Sequence, residues 1–388
     1  MTDVSRIFDW LVDGAPGAPT PVHVVQRIGP DLHAAGIPVD RIEAFVRTLH
    51  PHIVGRSFAW LHGGKVEVRE NSYGYLHSAE FLGSPLATVF RNGQSLRRRL
   101  DQPGATSDYP LLAELAEAGY TDYFAAPLTF LSGQVHAITF ATRAPAGFDD
   151  AQIAAIVHIV RPLSRVAEVF ALTRTAANLL NTYVGHDAGE RILQGRIQRG
   201  DTDSLRAVLW FSDLRGFTAM SATMEPRDII RVLNDLFDCQ VPAIERRGGQ
   251  VLKFIGDGLL AIFPLGAEGP AGPQCDAALD AAEEAFAALD VFNMTRSAAG
   301  VAPIRFGLAL HVGEVAYGNI GGSGRLDFTC IGPAVNLAAR LEGLTSGLGK
   351  RLVASAEFAR QTARPSRRVG AFDLKGVAEP VEVFEFGA

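Results

Sequence analysis

Arg206-Ala207-Val208-Leu209-Trp210-Phe211-Ser212-Asp213-Leu214-Arg215-Gly216-Phe217-Thr218 is an unbroken apolar run that ends in an aspartate and a glycine turn. The run reads as a buried strand that delivers Asp213 to its C-terminal edge. A second segment repeats the plan. Gln250 to Ile255, the turn Gly256-Asp257-Gly258, and Leu259 to Phe263 read as a hairpin with Asp257 at its tip. Between and beyond them, helical patterns run from about Pro226 to Arg247 and from about Gln274 to Arg296, and a strand follows over Ile304 to His311. The order strand, helix, strand, strand, helix, strand is the ferredoxin-like βαββαβ plan, so the C-terminal half is expected to be α+β. An aspartate before a glycine often only caps a turn. Two of them, each behind an apolar strand, can instead hold a pair of divalent cations for phosphate chemistry.

A third segment, Thr329-Cys330-Ile331-Gly332-Pro333-Ala334-Val335-Asn336-Leu337-Ala338-Ala339-Arg340, completes the pattern. Taken together, the three ordered motifs resemble the catalytic domain of class III nucleotidyl cyclases, over roughly residues 203 to 386. The resemblance implies an adenylate cyclase that turns ATP into 3′,5′-cyclic AMP and pyrophosphate. It implies Mg2+ or Mn2+, two per site, at Asp213, Leu214 and Asp257, and main-chain N–H groups of Gly216, Phe217 and Thr218 turned to the phosphates. Lys253 and Thr329 become the base-reading pair. Lysine can donate to adenine N1, an acceptor, and has nothing to offer guanine N1–H, a donor. Cys330 lies next to Thr329, so a slip of one residue would exchange them. Asn336 would orient the ribose and Arg340 would stabilise charge at the α-phosphate; the two lie four apart, on one helix face. Arg325 and Lys375 are candidates for the terminal phosphates. In this family one subunit's metal aspartates face the other's lysine, asparagine and arginine, so a homodimer is implied. The competing readings are a guanylate cyclase, a catalytically silent nucleotide-binding regulator, and a polymerase-type enzyme on a similar palm.

The rest of the chain sets the frame. Its 388 residues favour two domains, and 47% hydrophobic with 20% charged residues is the balance of a soluble globular protein. A net charge of −6 without a basic tract argues against nucleic acid as a partner. Three cysteines without metal spacing point to a reducing compartment. Met1 to Arg6 lacks the plan of a signal peptide, and no apolar run suggests a transmembrane segment, so a cytoplasmic location is expected.

Residues 1–150 read as a sensory domain, 151–202 as a signalling helix and transducer segment, and 203–388 as the catalytic domain. In the first part Ile42, Phe45, Val46 and Leu49 have helical spacing, and two strand pairs follow, Arg56–Leu61 with Lys65–Arg69 and Asp122–Leu128 with Val135–Ala141. That order resembles a GAF or PAS-like α+β domain, which implies an unknown small ligand or protein partner there. Nine of the ten histidines precede residue 190, but only His50 and His52 are close together, and their spacing fits no standard zinc pattern. From Asp150 to Leu180 a stripe of apolar residues marks a long helix, which Pro162 should kink or interrupt. The stripe fits packing on the helix's own domain and equally a coiled coil between protomers.

Overall fold

The computed structural model describes residues 3–266 and 271–387. Met1 and Thr2, which open the segment read against a signal peptide, lie outside them. The chain divides into two compact units, Met1–Thr182 and Tyr183–Ala388.

The first unit begins with α1 (Ser5–Val12) and α2 (Pro21–Ala34), followed by β1 (Arg41–Arg47), β2 (Ile53–Leu61) and β3 (Glu67–Ser72). Then come α3 (Ala79–Leu82), α4 (Pro85–Asn92), β4 (Leu96–Arg99), α5 (Pro110–Glu117), β5 (Asp122–Thr129), β6 (Val135–Thr142) and α6 (Asp150–Val184). The strands form one antiparallel sheet in the order β3-β2-β1-β6-β5-β4. One face packs on α1, α2 and α6 through Ile28, Phe58, Phe140, Ile159 and Leu163. The other packs on α3, α4 and α5 through Phe45, Phe81, Val89 and Leu112.

The structure departs from the sequence reading at β1 and, as to an interruption, at α6. The segment from Ile42 to Val46 is the central strand β1, not a helix. Ile42 and Ala44 enter one core and Phe45 the other, so burial on both faces hides the period of two. Helix α6 also runs through Pro162 without a break, with Ile159 and Leu163 packed in the same core on either side of it.

The second unit contains α7 (His186–Leu193), β7 (Thr202–Leu214), α8 (Phe217–Ser221), α9 (Pro226–Arg246), β8 (Gln250–Ile255), β9 (Gly258–Pro264) and α10 (Gly272–Ala298). After these come β10 (Phe306–Gly322), β11 (Arg325–Ile331), α11 (Pro333–Gly347), β12 (Leu352–Ser355), α12 (Ala356–Ala359), β13 (Ser366–Phe372) and β14 (Val381–Phe386). The sheet order is β13-β14-β12-β10-β7-β9-β8, with β11 paired to the far half of β10. Within it β10-β7-β9-β8 is the antiparallel ferredoxin-like core, so the expected α+β plan holds. Helices α9 and α10 cover one face with Leu236, Ile244, Leu279 and Phe286. On the other face α11 packs through Ala338 and Leu341.

Candidate active site

Strand β7 lies in the middle of the sheet, between β9 and β10, because Val208, Leu209 and Trp210 are fully buried. Its register places Asp213 opposite Gly258 on β9 and opposite Gly307 on β10. Gly258 closes the turn that carries Asp257. A Cβ on it would lie 2.9 Å from the Ser212 carbonyl oxygen and 3.1 Å from Asp213 Oδ1, so the turn can reach Asp213 only with glycine there. The Asp213 carboxyl is pushed up to about 6, first by burial, then by the negative charge of Asp257 within hydrogen-bonding reach, and then by Glu342. A pair of adjacent carboxylates in this state is a site that gains from a cation.

The donor set fits small hard cations. Among the described residues no group of three or more His, Cys, Asp or Glu side chains is gathered for a metal. Mg2+ commonly binds through one or two carboxylates and completes its shell with water and substrate phosphates. Asp213 and Asp257, with Leu214 beside them, match that habit. Gly216 follows in the left-handed conformation (φ 74°) as the N-cap of α8, with no side-chain cap. Thr218 is therefore inside the first turn and exposed, while Phe217 is tucked against the core.

Lys253 sits on β8, the edge strand of the sheet, between the buried Leu252 and the exposed Phe254. Its Nζ donates to Asp327 Oδ2 at 2.7 Å. Asp327 is on β11, two residues before Thr329 and so on the same strand face. Thr329 is 5% exposed, and its Oγ1 has no hydrogen-bond partner among the described residues. Cys330 points the other way. It packs with Tyr317 in the core, and burial pushes its thiol up to about 12, against the opposing pull of Lys253. Thr329 thus carries a buried hydroxyl without a partner, while Cys330 contributes a core thiol.

Helix α11 begins at Pro333, after Gly332, and carries Asn336 exposed and Arg340 half-buried. Neither side chain makes a hydrogen bond or ion pair with the described residues. Arg340 lies beside the β13–β14 loop, where a Cβ on Gly376 would be 3.4 Å from its Nη2. This brings Lys375, itself exposed, next to Arg340 in the chain path. Arg325 opens β11 at the hairpin end opposite Gly322, exposed and unpaired among the described residues.

The structure thus assembles two groups. One is Asp213 with Asp257. The other is dispersed over β8, β11, α11 and the β13–β14 loop. No hydrogen bond or ion pair among the described residues links the two. On α11 the charge of Glu342 acts on Asp213 and feels that of Asp257; Glu342 lies two positions after Arg340 and so about 200° around the helix. Glu342 is 5% exposed, accepts from the Thr345 hydroxyl, and pairs with Arg215 at 3.5 Å. Gly307 makes room for them: a Cβ there would overlap Arg215, Glu342 and Thr345. Asp327, Arg215 and Glu342 escaped the sequence reading. For Asp327 the signal was present in the two-residue spacing from Thr329.

Residues 202–381 match the family of adenylate and guanylate cyclase catalytic domains. The second unit carries a catalytic domain of that family, as the resemblance to class III cyclases implied. Among named relatives, an adenylate cyclase of Anabaena cylindrica is 37% identical over 201 residues, which is 50% of this chain and 39% of that protein. Adenylate cyclase 1 of Rhizobium meliloti is 28% identical over 179 residues, 45% of this chain and 26% of that protein. The adenylyl cyclase CyaB from P. aeruginosa is a solved structure with 26% identity and a TM-score of 0.44, covering 48% of this chain and 96% of that one. The chain therefore spans well under half the length of the curated relatives named here. Among the described residues no helix is long and apolar enough to cross a membrane.

Proposed function

We propose that the protein is an adenylate cyclase that forms 3′,5′-cyclic AMP and pyrophosphate from ATP at sites shared between two copies of the chain. One observation carries the shared site. Within a single chain, Asp213 and Asp257 meet the Glu342 face of α11, while Asn336 and Arg340 lie on a different face, unpaired. A partner's α11 is needed to bring Asn336 and Arg340 to the carboxylates. Large apolar side chains left exposed around the same strands, Phe254, Ile255, Leu326 and Ile331, suit such an interface.

In this reading Asp213, Leu214 and Asp257 hold two Mg2+ or Mn2+, which would lower the pKa of the ribose 3′-hydroxyl and neutralise the phosphates. The turn at Gly216, Phe217 and Thr218 offers main-chain N–H groups to the phosphates. Lys253 donates to adenine N1, held in place by Asp327, and the Thr329 hydroxyl takes the neighbouring base edge. Asn336 orients the ribose, and Arg340 meets charge on the α-phosphate with a planar, permanently charged fork. Lys375 and Arg325 supply further positive charge for the terminal phosphates.

We assign sensing to residues 1–150, coupling to the helical segment 151–202 and catalysis to 203–388, all in the cytoplasm. An antiparallel sheet with helices on both faces, ended by the long helix α6, supports a GAF- or PAS-like regulatory part. The test is purified chain with Mn2+ and either ATP or GTP, scored for cyclic product. Cyclic AMP from ATP is expected. Product from GTP alone would move the protein to the guanylate cyclases, and no product from either would leave a silent nucleotide-binding regulator.

A further inference from the structure

The first unit contains a cavity of about 490 Å³ between α2, α6 and the sheet, within the size range of small-molecule sites. Its wall is almost wholly apolar, with Val24, Phe58, Ile138, Val166 and Phe170 among the lining residues. The exceptions that carry charge are Arg56 and Arg174. Arg56 is committed to Glu70, its Nε donating to Oε1 at 2.9 Å. Arg174 has no carboxylate or hydrogen-bond partner among the described residues. Although Arg174 is exposed overall, partial desolvation at the cavity and the nearby Arg56 guanidinium both pull its pKa down, and His50 lies close enough to feel both arginines. Positive charge thus gathers at one part of an apolar wall, with Glu70 as its one ion-paired acid. Apolar ligands need no such charge, and a cation would be repelled by it.

We propose that this cavity binds a single-chain amphiphile with an anionic head, of the fatty-acid class. The carboxylate meets Arg174, with Arg56, already paired to Glu70, adding positive charge beside it, and the hydrocarbon tail lies among Phe58, Ile138, Val166 and Phe170. An arginine fork is suited to a carboxylate because two N–H groups can serve its two oxygens. Since Val166, Phe170 and Arg174 all belong to α6, an occupant would be gripped by that helix. The inference stands on the first unit alone and is independent of the reaction proposed for the second.

The test is calorimetric titration of the full chain with decanoate, decanol and decyltrimethylammonium, each free in water below its micelle-forming concentration. Decanoate is expected to bind saturably, once per chain, with the neutral and cationic analogues weaker on the order of tenfold. Arg174→Glu, a change at an exposed residue, should weaken decanoate by a similar factor and leave decanol unchanged. Ala167→Trp, which fills the cavity from α6, should abolish uptake of all three. The proposal is overturned by an absence of saturable uptake, by uptake indifferent to head charge, or by decanoate affinity unchanged in Arg174→Glu. A cavity covered by a second copy of the chain would give the first of these.

Discussion

Replacing Asp257 by Asn should make the metal-free catalytic unit more stable while removing its turnover. The Asp213 carboxyl rises from 3.8 to about 6, with burial as the larger cause and the Asp257 charge as the next. A group whose pKa is raised by folding contributes its stability below the unfolded value and loses it as pH climbs through the folded one. The wild-type protein without metal should therefore lose stability between about pH 4 and pH 6. The full shift corresponds to roughly 3 kcal/mol. Asp213 is only partly buried, so solvent screening reduces this, and the share that belongs to Asp257 is about 1 kcal/mol. Asparagine keeps the turn and can still accept from Asp213, but carries no charge. For a domain of this size the gain is about 2–4 °C in melting temperature above pH 6, shrinking toward pH 4. The assay is thermal melting with a chelator present, wild type against Asp257→Asn across that range. Taking the difference cancels groups outside the site. Added Mn2+ should then raise the melting temperature of the wild type and not of the variant, and the variant should make no cyclic product. A variant less stable than wild type above pH 6 would refute the strained carboxylate pair. Retained Mn2+-dependent turnover would refute its role in holding metal.

Other expectations follow from particular contacts. Gly307→Ala should destabilise the second unit by about 1–3 kcal/mol or more, because its Cβ would overlap the Arg215–Glu342–Thr345 cluster; an unchanged denaturant midpoint would show the cluster is loosely packed. In the first unit His136 is buried, accepts from the Arg47 N–H through Nδ1, and has a pKa pushed down to about 4, mainly by burial. Folding lowers this pKa, so stability falls as pH drops from about 6.5 to about 4, by roughly 3 kcal/mol. His136→Asn, which keeps an acceptor and cannot charge, should flatten that slope in melting curves, and an unaltered slope would place the titration elsewhere. Lys253→Glu with Thr329→Cys should cut the preference for ATP over GTP by about ten- to hundredfold in kcat/KM, since a donor at the adenine edge becomes an acceptor. An unchanged ratio in a folded protein would take the base-reading role from both positions.

The catalytic half was legible because its signals are local. A strand, a charged residue and a glycine turn lie within a few positions, so Asp213, Asp257 and Lys253 could be named along the chain as candidates. The ferredoxin-like order was readable for the same reason, from strands and helices with clean periods. What escaped depends on pairing. Asp327 becomes Lys253's partner only when β11 folds beside β8, and Glu342 meets Arg215 only through the glycine gap on β10. That β8 is an edge strand follows from sheet order, which the β8 sequence does not carry. β1 was misread because both its faces are buried, leaving apolar residues at Ile42, Phe45 and Val46 in a spacing that a helix shares.

The central claim is that each active site is built from two chains. Asp257→Ala and Arg340→Ala, each inactive alone, can be mixed under conditions where subunits exchange. A mixed dimer then holds one site with both lesions and one with neither. If pairing is random and sites act independently, recovery should approach about a quarter of wild-type activity. No recovery, with exchange demonstrated by differently tagged subunits in one dimer, would contradict the shared site.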